Sequence, residues 1–216
     1  MALGHQDREW ESLQQADRSV RTYFRDLTEL VPLLPYNSIT AIVSVFLNAF
    51  AEQRTVYVFG NGGSAASASH LMCDINKGAS APGDNKRPRV MALTDNASLI
   101  TAWANDFGYE RIFSEQLKTF IKPRDVAFAI STSGDSPNVL LALETARECG
   151  AMTIGLGGCQ GGQMKSLCDV CAIVPSDNVQ LVEDLHHAII HSIFVAIREN
   201  LLHGTTKNLM ARAASF

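Results

Sequence analysis

Apolar positions divide the chain into two regimes. From Asp7 to Leu27 they recur at Trp10, Leu13, Ala16, Val20, Tyr23, Phe24 and Leu27, the spacing of one face of an amphipathic helix with a polar opposite side. Pro32 and Pro35 interrupt that pattern, Asn37 stands where a helix cap is expected, and Ile39, Ile42, Val43, Phe46, Leu47 and Phe50 mark a second, more apolar helix. These two helices either cover a face of the sheet that follows or form a bundle within an oligomer. Beyond them the regime changes to short continuous apolar runs. Thr55–Phe59, Arg89–Leu93, Val126–Ile130, Met152–Leu156 and Cys171–Val174 read as strands. Between them, segments 65–77, 96–105, 109–120, 137–148 and about 163–167 read as helices, and a long one follows from about Val179 to Leu202. Fully apolar strands alternating with helices predict an α/β fold: a parallel sheet sandwiched between helical layers.

Composition narrows this to one domain without excluding an enzyme. The 216 residues are 46% hydrophobic and 19% charged, enough for a single sizeable core. We divide the chain into a helical segment over about 7–52, an α/β core over about 53–203 and a mobile tail over about 204–216. A net charge of −4 and a pI near 5.8 argue against a nucleic-acid partner, and the densest basic group, Lys86, Arg87 and Arg89, is interrupted by Pro88 and flanked by Asp84. The five cysteines are an odd number in apolar contexts, which predicts buried free thiols in a reducing compartment, Cys168 and Cys171 included. Met1–Arg8 has no apolar leader, and no apolar run approaches the length of a membrane span, so the expectation is a cytoplasmic protein without a membrane partner.

Three constellations carry chemistry. The first is Gly60-Asn-Gly-Gly-Ser64, between a strand and a helix, where unpaired N–H groups and the helix dipole welcome an anion. It lacks the Lys of a Walker loop, and the acidic residue expected at the second strand of a dinucleotide fold is misplaced. The second is Ser131-Thr-Ser-Gly-Asp-Ser136 ahead of Pro137, four hydroxyls at a helix mouth; one cap would need only Ser136, so the set points to a phosphate monoester. The third joins His70 and Asp74, four apart on one helix, to Glu183, His187 and His191 at successive four-residue steps on another, with His186 beside them. Histidines and carboxylates converging from two helices suit zinc or a related divalent ion.

Taken in order, Gly60–Ser64, the His70 to Asp74 spacing, Asn105-Asp-Phe-Gly108, Ile130–Ser136 and the Glu183 to His191 spacing resemble the SIS-domain phosphoheptose isomerases. The resemblance spans nearly the whole chain. It implies a three-layer α-β-α sandwich on a five-stranded parallel sheet with N-terminal helices, a homotetramer with those helices at its centre, and isomerisation of sedoheptulose 7-phosphate to a glycero-manno-heptose 7-phosphate through an enediol. It also implies that Ser131, Thr132, Ser133 and Ser136 hold the phosphate, and that Asn61, Gly62, Gly63, Ser64 and Asp106 lie at the substrate. Zinc is implied at His70, Asp74, Glu183 and His191, with Asp74 as base, Glu183 its alternative, and His191 as acid. The chain departs from the family where Asp74 replaces a Glu, Glu183 replaces a Gln, and Lys77-Gly78 stands in place of an Arg. The alternatives are a non-catalytic SIS module that binds a sugar phosphate or a replication initiator, and an isomerase of another sugar phosphate.

Overall fold

The computed structural model describes the backbone of residues 3–80 and 86–213 and the side chains of 12–80 and 86–202. Asp84 and the side chains of Trp10 and of the expected tail at 204–216 lie outside the described residues.

The first unit, up to Leu34, is helix α1 (Leu3–Leu30) followed by a 3-10 turn over Val31–Leu33. Its apolar positions Leu13, Val20 and Phe24 are 65%, 56% and 61% exposed. The second unit begins at Pro35. Pro35, not Asn37, is the N-cap residue of α2 (Tyr36–Ala51), whose Ile42 and Phe46 are fully buried. Five parallel strands follow: β1 (Thr55–Gly60), β2 (Arg89–Ala92), β3 (Val126–Ser131), β4 (Met152–Gly158) and β5 (Val170–Val174). Their spatial order is β2-β1-β3-β4-β5. Between and after them lie α3 (Gly63–Gly78), α4 (Ala97–Phe107), α5 (Ser114–Phe120), α6 (Pro137–Glu148), α7 (Met164–Leu167) and α8 (Val179–Ala213).

Each strand agrees with its apolar run to within two residues; in β1, β3 and β4 burial on both faces leaves no polar position to blur the limits, whereas the edge strand β2 exposes Arg89 and Met91 on one face. Alternate residues serve the two faces. Tyr57, Phe59, Ala127 and Ala129 pack with Phe113 and Leu117 of the α5 region and with Val139 and Leu143 of α6. From the other face, Phe128 meets the ring of Phe46 on α2 edge-on, at 5.7 Å between centroids. On that side α3 and α8 pack together and α2 packs on α8, which completes a three-layer sandwich.

Three details differ from expectation. The segment 109–120 is not one helix: Gly108, at φ 101°, turns the chain into a 3-10 turn over Tyr109–Arg111 before α5 begins. Helix α8 continues past Leu202 to Ala213. All five cysteines are free, but Cys73 and Cys159 are exposed and the other three only part-buried. Among the described residues, no single helix is long and apolar enough to cross a membrane.

Candidate active site

The strand order reverses direction at β1, whose following helix α3 and the helix α6 after β3 leave the sheet on different faces. In open parallel sheets this switch point leaves a crevice at the strand carboxyl ends. A cavity of about 530 Å³ lies there, lined by Asn61 and Ser64 after β1, Ser131, Thr132, Ser133, Asp135 and Ser136 after β3, and Glu183 of α8. The two polar loops therefore share one cleft, as their positions at strand ends predict. Cys159 after β4 and Ser176 and Asp177 after β5 also line it. Sequence reading missed these three, although the same strand-end rule points to them.

The β3–α6 loop is held open for a ligand by its own backbone. Gly134 has φ 71°, and a Cβ there would stand 2.1 Å from the Gly161 carbonyl oxygen, so only glycine lets the two loops meet. The Gly134 carbonyl accepts from the Met164 N–H at 2.9 Å, and the Asp135 carboxylate accepts from the Gln163 N–H at 2.9 Å. Ser131 Oγ accepts from the Gly134 N–H at 3.1 Å, and Ser133 Oγ from the Asp135 N–H at 3.2 Å. Ser136 occupies the N-cap position of α6 but makes no side-chain cap bond, so its hydroxyl is left for something in the cavity. Among the described lining residues none is Lys or Arg, and Asp135, Asp177 and Glu183 are acidic. An anion here must rely on hydroxyls, backbone N–H groups and the α6 dipole.

Asn61 is fixed by a reciprocal amide pair. Its Nδ2 donates to Asn138 Oδ1 at 2.9 Å, and Asn138 Nδ2 donates back to its Oδ1 at 2.8 Å. The Tyr109 hydroxyl donates to the same Oδ1 at 3.2 Å. The carbonyl of Asn61 is thereby saturated, and its remaining N–H is the group free to bind. Asp106, expected at the substrate, is exposed, accepts from Asn105 Nδ2 at 2.7 Å and is not among the cavity-lining residues.

Histidines and carboxylates meet where α3 and α8 pack. The two helices run the same way: Gly63 abuts Glu183, His70 faces His187 and His191, and Gly78 abuts Phe194. The Nε2 atoms of His70 and His191 are 2.8 Å apart, and Asp74 Oδ2 lies 3.2 Å from the first and 3.7 Å from the second. The donor atoms of His70, His187 and His191 all fall within 4.8 Å of one another. Burial, and then the neighbouring His191 and His70, lower the pKa of His187, which keeps its ring neutral and able to donate a lone pair. His186, beside it in sequence, is 1% exposed on the sheet side with neither ring nitrogen paired. Burial pushes it down to about 4, and the Gly157 backbone offsets only part of this. Imidazoles this close repel when protonated and suit a divalent ion when neutral, so the donor set fits such an ion.

Residues 22–158 match the SIS domain family. The chain is 41% identical over 157 residues to a phosphoheptose isomerase of Trichlorobacter lovleyi, covering 72% of this chain and 78% of that protein. It is 43% identical over 147 residues to a phosphoheptose isomerase of Rhodospirillum rubrum, covering 66% of this chain and 74% of that one. Its fold is similar to the solved phosphoheptose isomerase of Neisseria gonorrhoeae, with a TM-score of 0.77 and 27% identity over 86% of this chain and 98% of the other.

Proposed function

This chain belongs to the SIS domain family, among its phosphoheptose isomerases, and we propose that it interconverts sedoheptulose 7-phosphate and a glycero-manno-heptose 7-phosphate. The observation that carries the reading is the single cleft in which a hydroxyl loop, with Ser136 making no cap bond, and a catalytic-type carboxylate line the same cavity.

Ser131, Thr132, Ser133 and Ser136 hold the phosphate at the mouth of α6. Asn61 and Ser64 hold sugar hydroxyls. Binding energy from the remote phosphate is used to fix the reacting carbons against the other wall of the cleft. There a carboxylate removes the proton from the carbon next to the carbonyl. Asp74 and Glu183 are the two candidates, and Glu183 is the one that lines the cavity. His191 moves the proton between the two oxygens, after which the carboxylate returns its proton to the neighbouring carbon. A divalent ion, zinc first among candidates, would be held by the imidazoles between α3 and α8. When bound it supplies a Lewis acid that stabilises negative charge on the enediolate oxygens.

The exposed Leu13, Val20 and Phe24 of α1 support a homotetramer built on the N-terminal helices. The acidic pI and free thiols support a cytoplasmic enzyme with neither nucleic acid nor membrane as partner.

The test is incubation of the purified protein with a panel of pentulose, hexulose and heptulose phosphates, measuring aldose formation. Turnover of sedoheptulose 7-phosphate, abolished in Asp74→Ala and His191→Ala variants that still fold, is the expected result. Turnover of a shorter ketose phosphate in its place would change the substrate, and full turnover in both variants would remove the assigned roles.

A further inference from the structure

Cys168 and Cys171 are not among the residues that line the cleft, yet the fold brings both of their side chains to one point. On a straight extended chain, side chains three residues apart leave from opposite faces. Here the chain bends at Asp169, between the end of α7 and the start of β5. The bend is pinned to β4. The Asp169 N–H donates to the Thr153 carbonyl at 2.9 Å, and the Asp169 carboxylate accepts from the Thr153 N–H at 2.8 Å and from its hydroxyl at 2.9 Å. Cys168 and Cys171 then both pack against the core on the α5 and α6 side of the sheet.

Gly155 makes the room for them. It stands opposite Cys171 in the parallel ladder of β4 and β5. A Cβ built on it would lie 2.8 Å from Cys171 Sγ and 2.9 Å from Cys168 Sγ, so the two sulfurs share the space that any other residue would fill. Gly155 is not among the glycines at positive φ, so the backbone does not require it there; the sulfurs do. Glycine inside a strand gives up packing and chain entropy, a cost that sets this pair apart from thiols that merely fill a core. The Cys168 thiol hydrogen-bonds to the Cys171 sulfur. That bond, with Lys165 in support, holds the Cys171 thiol below its ordinary range in spite of burial. The same bond, and then burial, push the Cys168 thiol up.

We propose that Cys168 and Cys171 are a redox-active dithiol, which a small-molecule disulfide of the glutathione class converts into an intramolecular disulfide over Gly155. The site stands apart from the isomerase reading, and its test does not use turnover. The exchange runs in two steps. Cys171 gives its proton to solvent and its thiolate attacks one sulfur of the small disulfide; that S–S bond breaks, and the far half leaves as a thiolate that takes up a proton. Cys168 then loses its proton to solvent and attacks Cys171 Sγ, expelling the second half as a thiolate, which is protonated in turn. Two protein thiols are oxidised to one disulfide, and one small disulfide is reduced to two thiols. Cys171 goes first because its thiolate is the more accessible form.

The full-length protein is incubated with glutathione disulfide at neutral pH, remaining thiols are alkylated, and the tryptic peptide 166–198 is weighed by mass spectrometry. That peptide holds Cys168 and Cys171 and no other cysteine. In wild type it should become lighter by two hydrogens and retain no glutathione. At a fixed ratio of reduced to oxidised glutathione, the bridged fraction relative to dithiol should be at least about tenfold higher in the folded protein than in urea, because the fold holds the two sulfurs together. Cys168→Ala should stop with one glutathione on Cys171, and in Cys171→Ala the remaining Cys168 should react at least about tenfold more slowly than Cys171 does in wild type. Thermal melts check that each variant is folded, and the comparison of wild type with and without urea needs no variant. An unchanged dithiol in excess glutathione disulfide, a wild-type peptide carrying two glutathiones, or a bridge formed no more readily in the fold than in urea would overturn the proposal.

Discussion

The two ends of the sheet are both rich in polar side chains, and they use them in opposite ways. At the amino end the carboxylates are paired within the fold. Asp125, 4% exposed, accepts from the Thr55 N–H at 3.0 Å and the Lys122 N–H at 2.9 Å. Asp169 accepts from the Thr153 N–H at 2.8 Å and its hydroxyl at 2.9 Å. These carboxylates satisfy backbone donors at strand starts, and a cavity of about 340 Å³ beside them is lined largely by apolar and paired side chains. At the carboxyl end groups are left over: the Ser136 hydroxyl caps nothing, and Glu183 lies in a cavity. Polar groups that a fold uses for itself are paired within it; those left over are available to a ligand.

Substitutions can break that contrast. The largest effect is expected at the carboxyl end, where Glu183→Gln and His191→Ala should each lower kcat/KM for sedoheptulose 7-phosphate by about 10²- to 10⁴-fold, with melting temperatures near wild type. Next come the hydroxyls. Ser136→Ala and Thr132→Val should raise KM about tenfold or more each, the cost of a hydrogen bond to a charged group, and weaken inhibition by inorganic phosphate in step. At the amino end the signs reverse: Asp125→Ala should lose about 1–2 kcal/mol of stability in urea unfolding, having left two part-buried N–H groups without their acceptor, while the folded fraction keeps its kcat/KM.

His186 gives a subtler effect. Its folded pKa of about 4 lies below the ordinary 6.5, so between those values the unfolded chain binds the extra proton. Stability from this group is complete above pH 6.5 and falls as pH drops toward 4. About 2 kcal/mol should be lost by pH 5, and the slope should flatten in His186→Phe. Tyr109→Phe, which removes one of two donors to Asn61, should cost only a few-fold in KM.

Much of this was legible in the chain. The central strands β1, β3 and β4 were, because burial on both faces leaves an unbroken apolar signature, and Ser131–Ser136 was, because four hydroxyls exceed what one cap needs. The break at Gly108 was not, since residues 109–120 keep helical spacing on both sides of a turn that only glycine's φ permits. Asn37 missed the cap position because Pro35 already ends the preceding turn. The histidine row shows the limit most clearly. Four-residue spacing places Glu183, His187 and His191 on one face, but the depth at which α3 meets that face is a tertiary fact. It brings His187 to His70 and leaves Glu183 at Gly63. Cys159, Ser176 and Asp177 belong to loops without a motif, and only their place at strand ends marks them.

The central claim is that this cleft transfers a proton between adjacent carbons of a phosphorylated ketose. Nuclear magnetic resonance of sedoheptulose 7-phosphate incubated with the protein in deuterium oxide tests it most directly. The account predicts an aldoheptose 7-phosphate carrying deuterium at carbon 2, formed by wild type and not by Glu183→Gln. Absence of both aldose and exchange with wild type, or an aldose formed without solvent deuterium and at an undiminished rate in Glu183→Gln, would contradict it.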